Sequence, residues 1–288
     1  MRVHVVVPEG FDNPGQPTGG NIYDRRVCAG LAEAGWEVLV ATVAGGWPAP
    51  GPAARADTSC TGLMTGTISG NVVVRSGICT LLGATVTGNV TVETGASLAV
   101  DRGSTIKGNI SADQCNFVQI DGGVSVNGNV SIQNCNGAEI GYGIAPVPGP
   151  LLTHIKGNFL CQGNSSATGA FSSICNANNG SVGGNVQVDD NDGAFVMGNS
   201  VGGNVQVDNN SKVAVSVQAN SVSGNMQVDD NSAGAVLKLN SVGGNVQVNN
   251  NGPPTSVVSE TVNGNLVCQG NTSLTESDNT VHGTTHCP

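Results

Sequence analysis

Apolar and polar residues alternate in short bursts over most of this chain. Around Asn204, Val201, Val205 and Val207 fall on one side of an extended backbone, and Gln206 and Asp208 fall on the other. After Asn209-Asn210 the alternation resumes with Val213, Val215 and Val217, and Asn220 turns the chain into the next round. Each round predicts at least two short strands joined at Asn-rich corners. A Gly-Asn pair followed by an apolar residue opens each round, with its Asn at 71, 89, 109, 129, 158, 185, 204, 225, 245 and 265. The steps are 18 to 21 residues except for 129 to 158 and 158 to 185, and Gly283-Thr284 reads as a degenerate final copy. A fixed period near 20 residues marks a solenoid.

Residues 60–288 therefore predict an all-β domain, a parallel β-helix of about ten coils. Val fills its interior, and Asn side chains bond between copies above and below. At about 4.8 Å per coil the stack is roughly 50 Å long. Right-handed winding is expected, because the six-residue apolar period of left-handed acyltransferase helices is absent. The two long steps enclose insertions at 141–152 and 163–180. Insertions of this kind are where repeat proteins carry recognition.

The first 45 residues follow another pattern. They predict a strand over 2–7, a Gly- and Pro-containing loop over 8–20, a helix capped by Asn21 and running to about Ala34, and a strand over 37–43. Residues 46–59 are rich in Gly, Pro and Ala and read as a linker.

Composition sharpens this. Gly is 43 of 288 residues, aromatics are 3% and charged residues 10%, against a usual charged share of about a quarter. A narrow stack filled by Val and Ala tolerates such a scarcity of large side chains. No apolar run approaches the ~18 residues of a membrane span. From Ser181 onward nine Asp and Glu stand against two Lys, leaving −7 of the whole chain's −10. That excludes a nucleic-acid partner, which needs a basic footprint. Cations or basic surfaces remain open as partners.

Cys60/Cys79, Cys115/Cys135 and Cys268/Cys287 are each about one period apart. One period along the chain is one layer along the axis, within the reach of a disulfide. Cys161/Cys175 would bridge an insertion, which leaves Cys28 unpaired. Such pairing points to an oxidising, extracellular or cell-surface location. The N-terminus shows no signal-peptide pattern, however, and read at face value it points to the cytoplasm.

Two resemblances add to these readings. Met1-Arg2-Val3-His4-Val5-Val6-Val7-Pro8-Glu9-Gly10, the Thr18-Gly19-Gly20-Asn21-Ile22-Tyr23-Asp24 turn and Gly35-Trp36-Glu37-Val38 resemble the opening of a family 4, GT-B-type glycosyltransferase of actinobacteria. The resemblance implies that Gly19, Gly20 and Asn21 contact phosphate and sugar groups, as a Gly-rich loop at a helix N-terminus can. It covers about 45 residues, and the rest of that family's two-domain cleft has no counterpart here, so no transferase activity is expected. Residues 157–164 and 262–271, with the repeated Val-Gly-Gly-Asn-Val-Gln-Val, resemble secreted, uncharacterised actinobacterial β-solenoid proteins. That family implies no activity.

Asp189, Asp208 and Asp229 recur at one place in successive coils, with Asn249 next. Stacked carboxylates would attract a hard cation such as Ca²⁺. Asp and Asn are also simply preferred at corners, and no other cofactor is implied. Gln187, Gln206, Gln227 and Gln247 form a parallel row, either a strip for polysaccharide or a stabilising ladder. The equivalent earlier positions, Val73, Thr91, Ser111 and Ser131, break its regularity. Glycoside hydrolysis needs two carboxyls in different environments, and identical repeated Asp residues do not supply them. The expectation is a non-catalytic extracellular or cell-surface solenoid, acting as a rigid spacer, adhesive or matrix-like surface for polysaccharide or protein. A carbohydrate-active β-helix is the alternative, and glycosyltransferase activity of the N-terminal fragment a more remote one.

Overall fold

In a computed structural model of the protein, each regular round of the repeat closes into a coil of three parallel strands, the two that the alternation resolves and a third beyond them. The structure describes residues 2–8, 19–43, 57–141, 152–165 and 174–288. One coil shows the plan. Its first strand is Val205–Asp208, its second Val215–Gln218 and its third Ser221–Val222. The third strand is two residues long, too short to display a period.

First strands stack into a 12-stranded sheet, and second and third strands share a 20-stranded sheet. The end strands of the first sheet, Thr58–Ser59 and Thr285–His286, are only two residues long, so about ten full coils lie between them. Register holds residue for residue: Val205 pairs with Val186 below and Met226 above, and Val207 with Val188 and Val228. The inward positions are closed to solvent, among them Val205, Val207, Val215, Val217 and Val201. Each buried side chain of this size contributes about 1.5–3 kcal/mol.

Three Asn ladders hold the corners. Between first and second strands the corner residue adopts positive φ, as Asp190, Asn209, Asp230 and Asn250 do at 55–57°. Asp and Asn tolerate this left-handed conformation better than other residues with a side chain. The next residue, Asn191, Asn210, Asn231 or Asn251, is buried, and its Oδ1 accepts from the backbone N–H of its counterpart one coil earlier, as Asn231 does from Asn210 at 3.0 Å. A second buried ladder, Asn199–Asn220–Asn240, follows the second strand. The third ladder is exposed and belongs to the Gly-Asn pairs. There Asn185 Oδ1 accepts from Asn204 N and Asn204 Oδ1 from Asn225 N, both at 2.8 Å. A Cβ at Gly203 would collide with Asn185 Oδ1 and the backbone of Gly184. The glycine of the signature pair is therefore set by close approach of neighbouring coils.

Met1–Arg55 form a second compact unit. Strand β1 (Arg2–Pro8) pairs in parallel with β2 (Glu37–Val43), and α1 (Gly19–Glu33) connects them. The helix stops at Gly35, φ 81°, where Trp36 N–H bonds Leu31 O and Gly35 N–H bonds Ala32 O, the double closure of a Schellman motif. It starts two residues before the expected cap at Asn21, so Gly19 and Gly20 belong to its first turn.

Candidate functional site

The outward faces of the solenoid differ in chemistry. On the first sheet the Asp and Gln rows meet in hydrogen bonds around Asp208. Asp208, 5% exposed, accepts from Gln206 Nε2 at 2.7 Å, Gln227 Nε2 at 3.1 Å and Asp229 N at 3.0 Å. Burial raises its carboxyl to about 6, opposed by the Gln206 and Asp229 bonds and aided by the neighbouring carboxylates. Asp229 is raised as well, mainly by burial, and accepts from Asn249 N at 2.7 Å. Asp189 accepts from Asn209 Nδ2.

Asp189, Asp208 and Asp229 thus stand in register without converging on one point. Among the described residues no three His, Cys, Asp or Glu side chains gather to hold a metal ion. Both oxygens of Asp208 and one oxygen each of Asp189 and Asp229 are engaged by amide groups, Gln206 from the same coil and the others from the next. The Gln row runs in register through Gln187, Gln206, Gln227 and Gln247, preceded by Thr91, Ser111, Ser131 and Leu160.

The positions implied by the glycosyltransferase resemblance, Gly19, Gly20 and Asn21, form the first turn of α1. Amide groups of a first turn have no partner within the helix. The cores of both insertions, 142–151 and 166–173, lie outside the described residues.

Sequence reasoning missed the third-strand face. Its first outward position reads Thr105, Ser125, His154, Ser181, Ser200 and Ser221 in successive coils, and stays Ser or Thr through Thr280. The second outward position, after the buried Val or Ile, reads Lys107, Asn127, Lys156, Gly183 and Gly202. From Thr105 to His282 neither position carries a carboxylate. His154 alone interrupts the hydroxyl row, and its Nδ1 lies 3.0 Å from Ser181 Oγ. Lys107 and Lys156 are exposed and make no ion pair among the described residues.

A concavity of about 540 Å³ opens here, lined by Thr105, Ser125, Asn127, His154, Lys156 and Ser181 above the Ile155 strand. Gly183, without a side chain, forms part of its wall. A Cβ at Gly183 would strike the carbonyl of Lys156, so the step down beside Lys156 is built into the stacking. The signal in the sequence was a single His and two Lys replacing Ser, Asn or Gly at fixed places in the period. It becomes visible only once the third strand is recognised.

Four disulfides, Cys60–Cys79, Cys115–Cys135, Cys161–Cys175 and Cys268–Cys287, tie the stack, and Cys28 is free. Cys161 and Cys175 take inward places on the first and second strands of one coil. Their bond crosses the interior and closes the segment between them. Fold and faces together define a disulfide-tied parallel β-solenoid. No family model, curated protein or solved structure matches the chain.

Proposed function

We propose that the chain is a non-catalytic extracellular or cell-surface solenoid, a rigid spacer whose flat faces bind polysaccharide or protein in an adhesive or matrix-like role. The observation that carries this reading is the corner architecture. Buried Asn ladders run coil to coil, and four disulfides add covalent ties in a stack otherwise held by nearest-neighbour contacts. Such bonds persist in oxidising compartments, and no helix of the described residues is long and apolar enough to cross a membrane.

A non-catalytic role is supported by the state of the titratable groups on the faces. Asp208 is engaged by three protein donors, and no carboxylate hydrogen-bonds His154 among the described residues. Residues 1–45 fit the reading as a glycosyltransferase-like fragment without activity. Its parallel strand pair leaves Leu39 and Val40 partly exposed, and one β-α-β unit does not make a two-domain cleft.

Incubation of the oxidised chain with neutral and acidic polysaccharides, and separately with nucleotide-sugars, tests this. Bound polymer recovered without shortened products or released nucleotide is expected. Turnover of either substrate would overturn the reading.

A further inference from the structure

We infer that the third-strand face around His154 and Lys156 is a binding site for an acidic polysaccharide, a glycan bearing carboxylate groups, laid along the solenoid axis. The inference rests on the binding role proposed above and assigns it a face, a ligand class and named residues.

Charge separation between faces comes first. The first-strand face carries the Asp189, Asp208, Asp229 row, whereas the third-strand rows carry no carboxylate from Thr105 to His282. A chain of net charge −10 repels a polyanion over most of its surface, and this face lacks the local source of that repulsion. The cations present are unpaired. Lys212 binds Asp192 at 2.9 Å and Arg75 lies 3.8 Å from Glu93, but Lys107 and Lys156 have no such partner among the described residues. Register places Lys107 and Lys156 on one row two coils apart, about 10 Å at the spacing of stacked strands. That is of the order of one disaccharide of an extended glycan, so successive acidic sugars can meet successive cations.

The neutral groups suit sugar as well. Ser125, Ser181 and Asn127 line the concavity with groups that both donate and accept, which matches sugar hydroxyls. His154 Nδ1 is held by Ser181, which orients the ring and leaves Nε2 for the ligand. A nucleic acid is disfavoured, because its closely spaced phosphates need a denser basic stripe than two Lys provide.

The test is equilibrium binding of the full oxidised chain to sodium polygalacturonate, with dextran of similar length and single-stranded DNA as competitors of other classes. Polygalacturonate should bind, more weakly as salt rises, and dextran and DNA at least tenfold more weakly. Lys156→Glu should weaken polygalacturonate binding at least tenfold and Lys107→Glu less. His154→Ala should weaken it without altering the salt dependence. Lys238→Glu, on a second strand, should leave it unchanged.

Equal binding by the Lys156→Glu chain, equal binding of dextran or DNA, or no binding by the wild type would overturn the assignment. None of these outcomes touches the non-catalytic reading, which fails only on product release.

Discussion

The residue that departs furthest from its surroundings is Glu260. It occupies a rung of the second buried ladder, between Asn240 and Asn279, and is 1% exposed. Its Oε1 accepts from Asn240 Nδ2 at 3.0 Å, but its Oε2 has no partner. At the equivalent place Asn220 and Asn240 each donate an amide N–H to a main-chain carbonyl of an earlier coil, Val196 and Val217 respectively. A carboxylate cannot donate, whereas a protonated carboxyl can. Burial accordingly raises Glu260 from 4.5 to about 7, with the Asn240 bonds opposing the shift. Between those values the folded chain binds a proton that the unfolded chain has released. Stability from this group is therefore full below about 4.5 and is lost as pH rises through 7. At 1.36 kcal/mol per pKa unit the swing is about 3 kcal/mol. Asp208 acts in the same sense over a lower window, up to about 6. Glu260→Gln supplies a neutral donor and acceptor. Its urea midpoint is expected to fall less than that of the wild type between pH 5 and pH 8, and equal falls would remove Glu260 as the cause.

At the scale of the coil, Cys and Asn are interchangeable parts of one corner. Cys115, Cys135 and Asn164 each follow a positive-φ residue, Gln114, Asn134 and Gly163. Cys115 N–H points at Cys135 Sγ at 3.1 Å, and Cys135 N–H donates to Asn164 Oδ1 at 2.8 Å. The disulfide thus fills two rungs of the first buried ladder. Replacing both cysteines by Ala removes a bond worth about 2–4 kcal/mol and strands the backbone N–H of residue 115 at about 1–3 kcal/mol. Replacing both by Asn extends the ladder instead. The Asn pair is expected to be about 1–2 kcal/mol more stable than the Ala pair in denaturant titrations, and equal midpoints would show that the rungs are not equivalent.

Much of this scale was legible in advance. Gly-Asn spacing located the coils, Val alternation the interior, and cysteine spacing the pairs, because each recurs at a period that stacking converts into contact. The third strand was not legible, since Ser221–Val222 spans a single cycle of alternation and repeats nothing. With it went the hydroxyl row and the singular place of His154. The Asp row was legible as a row, but its oxygens were not. Most of their partners, Gln227 and Asn249 among them, come from the next coil.

At the scale of the whole molecule the two units have different economies of burial. The solenoid closes its interior with small side chains repeated many times, while the strand pair of the N-terminal unit leaves Leu39 and Val40 38% and 43% exposed. Covalent ties follow the same division. Titration of the denatured, unreduced chain with a thiol reagent is expected to find one thiol, that of Cys28. Three thiols would mean that one solenoid bond is missing.

The direction of the ladders has a further result. At both buried corners a side-chain oxygen reaches back to an N–H of the preceding coil, as Asn231 does to Asn210 and Asn240 to Asn220. A nascent stack growing from its N-terminus holds out the same few donors after every coil, and the next coil arrives carrying the acceptors for them. Partly synthesised chains that stop anywhere within the regular coils therefore end in a common chemical edge. Elongation can pause at any of those coils without creating a new kind of exposed surface.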